Sequence, residues 1–416
     1  MTQYAEHAAR QHAHVEALHA LQAALRVVSC LPHEIQDRHR LDLAQRLGQS
    51  RLALGQIQDA VADLLDQQLR VHNQKDTHLI ASHALLTGQA LSRLGEWEQA
   101  AQKARQALEV ASPYADNALM GQAYALLAMA HDSAGQPALG LQCSRQAVPL
   151  LEHSNDTYQL GRVYLVMRLQ SLTLGDFAAA LDAADRLRTV SEAIDEPHLW
   201  VLAHWLSGRT QATRGDGEAA IAACQYSFQV AQDPLSRALA QGGLGYAYLE
   251  HRVLEDAIPS LEQAAQRLSH LGYRRFEGLY TILAGETYRL DGQLNTAWRL
   301  TQEGLSLVQE PSYPFGIGWA QRTLGRIAQD DEQLDEATQY LQDALTTFTA
   351  LQARFEMGRT HLIGATLSHQ QGKRQTLILH LREAHRLFRG LQIPAYLELT
   401  QQYANTFQLV SLESLS

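Results

Sequence analysis

One spacing governs what this chain can fold into. Glycines stand at Gly55, Gly95, Gly135, Gly175 and Gly215, each 40 residues after the last. Arg252 follows 37 residues on, and Gly292, Glu332 and Gly372 then restore the interval of 40. Five residues after each of the first eight markers stands a small residue: Ala60, Ala100, Gly140, Ala180, Ala220, Ala257, Ala297 and Ala337, with Leu377 in the ninth copy. Seven residues before them stand Gly48, Gly88, Ala128, Gly208, Gly245, Gly285, Gly325 and Ala365, and only the fourth copy departs, with Arg168. A fixed period of this length marks a solenoid of repeated supersecondary units.

The pattern has a direct physical reading. Leu43, Leu47 and Leu54 lie at helical spacing before the first marker, and Val61, Leu64 and Leu65 after it. A small residue on each helix lets the two cross closely. The glycine between them takes the left-handed conformation that ends the first helix. Each unit is therefore an antiparallel pair of helices, A and B, whose apolar stripe is buried only when neighbours stack. Ten prolines in 416 residues, and an abundance of Ala, Leu and Gln, suit helix almost throughout. Connections between units are expected where Pro or Asp opens a helix, as at Asp195-Pro197, Asp233-Pro234 and Glu310-Pro314. The three residues missing before Arg252 predict a local change of twist there.

Leu244-Gly245 with Tyr248, Ala257, Leu261 and Ala264 resembles the tetratricopeptide family. So do Gly285 with Tyr288 and Ala297, Leu324-Gly325 with Ala337, Leu341 and Ala344, and Leu47-Gly48 with Gly55 and Ala60. Units of 40 residues look like those of bacterial MalT-type and related signalling regulators. The resemblance implies an all-α, right-handed α-solenoid of about nine helix-turn-helix repeats over residues 37–391. Residues 1–36 are then a partial leading repeat in which Ala20, Leu21 and Leu25 belong to a helix B. A capping helix opened by Pro394 covers residues 392–408, and 409–416 is a frayed tail. Another helical-repeat family with units of this length is the competing reading.

Other features exclude function classes. A formal net charge of -10, with lysine only at Lys75, Lys103 and Lys373, is unlike the basic face of a nucleic-acid binder. Cys30, Cys143 and Cys224 are too scattered for a disulfide framework and are expected in the core, which suits a reducing cytoplasm. Met1 to Ala13 is polar, so no secretory signal is expected, and no apolar run is long enough to span a membrane. No nucleophile, phosphate-loop or zinc-protease motif is present. Gly242-Gly243 and Gly316-x-Gly318 read as helix crossings, and no catalytic residue, cofactor or metal is assigned. His12, Glu16 and His19 share a helix face but read as a solvated one.

The resemblance places the ligand surface on the concave, helix A face. In the first three repeats this gives Gln45, Gln49, Gln89, Arg93, Gln122 and Met129. In repeats four to nine it gives Arg162, Trp205, Arg209, Tyr246, Glu286, Arg289, Trp319, Arg322, Arg326 and Arg359, with Leu169, Glu250 and His369 beside them. Arginine forks bind carboxylates and aromatic rings give large contact area at small entropic cost. This set, with aromatics that can stand exposed, is expected to bind a protein or peptide partner with an acidic or C-terminal segment, as a non-catalytic scaffold or sensor. Two alternatives stay open: a receptor for a small molecule or short signalling peptide, and a face whose arginines only pair with neighbouring acids.

Overall fold

The computed structural model describes residues 14–28, 30, 33–72, 76–309 and 313–409. Among them there is no strand, and helices follow one another in pairs. The A and B helices of successive repeats are His33–Ala53 with Ile57–Asp66, Thr77–Arg93 with Trp97–Ala111, Asn117–Ser133 with Pro137–Ser154, and Thr157–Leu174 with Phe177–Ala193. Pro197–Arg214 with Gly217–Val230, Pro234–Glu250 with Leu254–His270, and Arg274–Leu290 with Leu294–Gln309 come next. Pro314–Asp330 with Leu334–Ala350 and Arg354–Gln370 with Arg374–Gly390 complete the nine repeats.

The periodic positions do what their chemistry predicts. All nine markers have positive φ, from 60° at Glu332 to 92° at Gly215, including the two that are not glycine. A second left-handed series lies 20 residues after the markers, at Ala115, Asn155, Asp195, Gly272, Gln352 and Gln392, and ends the B helices. The marker at Gly215 has no such successor. Helix B of repeat five is 14 residues long, against 17 in repeats four, six, eight and nine, and its chain leaves through Ala231 in extended conformation. The 37-residue interval is thus the loss of one left-handed helix end.

The small residues mark the crossings. A Cβ on Gly245 would stand 2.7 Å from Leu261, and one on Gly285 would stand 3.0 Å from the Ala297 carbonyl. The alanines five residues after the markers, from Ala60 to Ala337, are fully buried. Asp76, Asp116, Asp176 and Asp233 cap the A or B helices that follow them by accepting from the backbone N–H three residues on. Proline occupies the first turn of Pro197–Arg214, Pro234–Glu250, Pro314–Asp330 and Pro394–Thr406.

The chain divides into two compact units, residues 1–134 with 142–160, and residues 135–141 with 161–416. In the first, the leading helix His14–Val28 packs Leu18, Leu21 and Val28 against Leu43 and Leu47, with Ala20 and Leu25 partly buried beside them. In the second, the last helix Pro394–Thr406 sets Tyr396 against Phe355 and Phe388, each with ring centroids 4.9 Å apart. Most of the tail, 410–416, lies outside the described residues, as does His12 of the histidine cluster. The cysteines correct one expectation: Cys224 is buried and Cys143 half-buried, but Cys30 is exposed. It lies just beyond the end of the leading helix at Val28.

Candidate functional site

In the first unit the A-face amides hold neighbouring repeats together. Gln45 donates to the Leu79 carbonyl at 3.1 Å and to Ser82, Arg93 to the Leu52 carbonyl at 2.8 Å, and Gln122 to Asp156 at 2.6 Å.

The second unit gathers nearly all of the predicted site residues, but under cover. Trp205, Arg209, Tyr246, Glu286, Arg289, Trp319 and Arg322 are all buried, and Arg162, Arg326 and Arg359 are half-buried. The aromatics Trp205, Tyr246 and Trp319, which could have stood exposed on this face, are thus covered. The reason is that A faces of repeats distant in sequence meet one another. Tyr246 of repeat six lies against Trp319 of repeat eight with centroids 5.5 Å apart. Trp205 of repeat five lies against Phe276 of repeat seven at 5.6 Å, and Phe177, which opens helix B of repeat four, lies edge-on to Phe355 of helix A of repeat nine at 5.0 Å.

The charged side chains pair across repeats in the same interior. Arg289 donates through Nε and Nη2 to both Glu286 oxygens at 3.0 Å, and through Nη1 to Asp330. Arg326 reaches the same Glu286 at 2.5 Å. Arg322 pairs with Glu356, and its guanidinium carbon stands 5.6 Å from the Trp319 ring. Arg359 spans 109 residues of sequence to Glu250, at 3.0 and 3.4 Å. Four arginines thus meet four carboxylates. Burial alone would raise Glu286, but Arg326 and Arg289 outweigh it and hold the carboxyl down at about 2. Asp330 and Glu356 were not foreseen as members of the site. Each lies on helix A, at a place where only stacking on the preceding repeat brings an arginine to it.

A cavity of about 60 Å³ opens among these groups, lined by Glu250, Glu286, Trp319, Arg322, Arg326 and Arg359 together with Leu249, Leu283 and Thr323. That is room for a few water-sized groups. Two of the lining residues carry a nitrogen, Trp319 Nε1 and Arg359 Nη1, that is buried without a hydrogen-bond partner. Such a wall, rich in fixed donors, suits a small group that accepts hydrogen bonds. Among the described residues no group of His, Cys, Asp and Glu side chains is placed to hold a metal ion.

With the fold and this interior described, known structures can be compared. A Rap protein complexed with competence and sporulation factor superposes with a TM-score of 0.66 at 11% identity, over 85% of this chain and 99% of that one. The apo quorum sensor NprR from B. thuringiensis gives 0.61 at 13%, over 82% and 94%. This chain has the TPR-like helical-repeat fold. Aspartyl phosphate phosphatase F from Bacillus subtilis shares it at a TM-score of 0.51 and 12% identity, over 83% and 93% of the two chains. No family model matches the sequence, and no curated protein matches it. The likeness therefore lies in the helical stack that the period encodes. Among the described residues no helix is long and apolar enough to cross a membrane.

Proposed function

We propose that this TPR-like chain is a non-catalytic scaffold or sensor of bacterial signalling or transcriptional regulation, working in the cytoplasm. It binds a protein or peptide partner through the A faces of repeats four to nine. The ten residues named above form the binding surface, the helices before residue 37 and after residue 391 cap the stack, and the partner offers an acidic side chain or a C-terminal carboxylate. The observation that carries this reading is the cavity walled by Arg322, Arg326 and Arg359, with buried donors of Trp319 and Arg359 left unpartnered. An unpartnered buried donor is costly, and a carboxylate seated there would relieve that cost. The complex of the similar Rap protein with competence and sporulation factor supports the binding of a separate partner.

A second reading, a receptor that changes curvature around a small molecule or short peptide, is favoured by the Glu250–Arg359 pair and the Phe177–Phe355 contact. Both tie repeats far apart in sequence, so opening them would change the shape of the second unit. The test is calorimetric titration of the purified chain with short acidic peptides, each with a free and with an amidated C-terminus. Binding that weakens about tenfold in Arg326→Gln or Arg359→Gln supports the site. Binding that is indifferent to both substitutions places the partner elsewhere.

A further inference from the structure

One copy of the repeat breaks the small-residue rule, and the side chain it introduces is the most deeply buried charge of the second unit. Arg168 is 0% exposed. Its Nη2 donates to the Leu206 carbonyl at 2.7 Å and to Thr210 Oγ1 at 2.8 Å, and its Nε reaches the same hydroxyl at 3.1 Å. These acceptors are neutral, and Nη1 has no partner. Beside Thr210 on the same helix stands Arg209, 4% exposed. Its guanidinium carbon lies 5.3 Å from the Trp205 ring and 5.9 Å from the Tyr246 ring, and its Nε is also without a partner.

Among the described residues no carboxylate pairs with either arginine. The acids of this interior are already matched, Glu286 and Asp330 to Arg289 and Arg326, Glu356 to Arg322, and Glu250 to Arg359. Nor can a neighbour ionise to supply the charge. Burial pushes the Cys224 thiol up to about 12 in spite of both arginines, and burial likewise raises Tyr246. An arginine does not give up its proton, so two positive charges remain in the interior, Arg168 fully and Arg209 nearly fully buried. Burial and the neighbouring Arg209 both disfavour the charged form of Arg168. Buried charge of one sign needs a counter-charge.

We propose that Arg168 and Arg209 form a buried binding site for one small monovalent inorganic anion of the chloride class, held between Arg168 Nη1 and the Arg209 guanidinium. Few donors are left unpartnered, and the aromatic faces of Trp205 and Tyr246 close the surroundings, which disfavours a dianion. This site is separate from the cavity of repeats six to nine and does not depend on the identity of any partner. It ties repeat four to repeats five and six through a ligand taken from the medium.

The test is thermal unfolding of the full chain at constant ionic strength while sodium chloride replaces sodium isethionate, whose anion is too large for the site. The Tm is expected to rise with the logarithm of chloride above its Kd, by about 4 °C when chloride exceeds that Kd about tenfold. Arg168→Met and Arg209→Met abolish that rise, whereas Arg386→Met, at an exposed arginine, keeps it. Should both buried-site variants fail to fold, excess ³⁵Cl line broadening by the wild-type chain, saturable in chloride, provides the second measurement. Coincident Tm values in the two salts, a full chloride response in Arg209→Met, or no excess broadening would each overturn the proposal.

Discussion

Glu286→Gln tests whether the paired charges of the second unit stabilise it. Glu286 accepts two hydrogen bonds from Arg289 at 3.0 Å and one from Arg326 at 2.5 Å, and is 8% exposed. The amide keeps the shape, removes the charge that faces two guanidinium groups, and turns an NH₂ toward one of them. The carboxyl is depressed from 4.5 to about 2, so its ionised form is favoured by folding. That shift corresponds to about 3 kcal/mol of stability at neutral pH, on the scale at which one unit is 1.36 kcal/mol. The contribution is complete above the unfolded value of 4.5 and is lost as pH falls toward 2. Urea unfolding followed by tryptophan fluorescence reports mainly the second unit, since it holds Trp200, Trp205, Trp298 and Trp319 and the first holds only Trp97. The gap between wild type and variant should be about 3 kcal/mol at pH 7 and narrow to about 2 kcal/mol at pH 3.5. A gap below about 1 kcal/mol at pH 7, or one that does not narrow with acid, would refute the reasoning.

Two further outcomes follow from local geometry. His361 and His380 meet through their Nδ1 atoms at 2.9 Å, and burial, with His380 adding to it, lowers His361 to about 4. The unfolded chain then binds more protons between pH 6.5 and 4, so the wild type should lose about 2 kcal/mol between pH 7 and pH 5 through this group. His361→Gln should flatten that slope in urea titrations, and an unchanged slope would contradict it. At the turns, Glu332 holds φ 60° and is exposed, while Gly292 holds φ 80° with nothing within 4 Å of a would-be Cβ. Glu332→Gly should raise stability by about 0.5 kcal/mol and Gly292→Ala lower it by about 1 kcal/mol, and calorimetric Tm shifts of the opposite signs would count against the turn assignment.

The fold was legible because its determinants are local and recur. A left-handed helix end, a small crossing residue and an Asp or Pro at a helix start act within a few residues of chain, and repetition made each visible against the background. Even the missing three residues could be located, since what they removed is one of those local devices, the left-handed end of helix B in repeat five. The burial of the candidate face was not legible. The sequence places Trp205, Arg209, Tyr246, Trp319 and Arg359 on helix A, and the structure buries or half-buries them there. Closure of that face depends on which distant repeats meet, and nothing local to Glu250 or Arg359 announces a partner 109 residues away. The one signal available for the deepest charge was the break in the small-residue series at Arg168, which the periodicity exposes as a departure without saying what fills its place.

The closure also sets a condition on any ligand. The A-face groups of the second unit are already engaged with one another, so a ligand displaces existing contacts and gains only the difference between its own contacts and those. Where the existing partner is a well-matched carboxylate, as Glu286 is for Arg289, that difference is small or unfavourable. It is largest where a donor has no partner, at Trp319 Nε1, Arg359 Nη1, Arg168 Nη1 and Arg209 Nε. A ligand that reaches Arg359 while leaving Glu250 in place keeps repeats six and nine joined and favours the closed arrangement. One that takes Arg359 away from Glu250 removes a tie between them and favours an opened one. A ligand shifts such an equilibrium only by its differential affinity for the two arrangements. The same cavity can therefore serve a scaffold that stays closed or a receptor that opens, and the bond that separates the two behaviours is the one between Arg359 and Glu250.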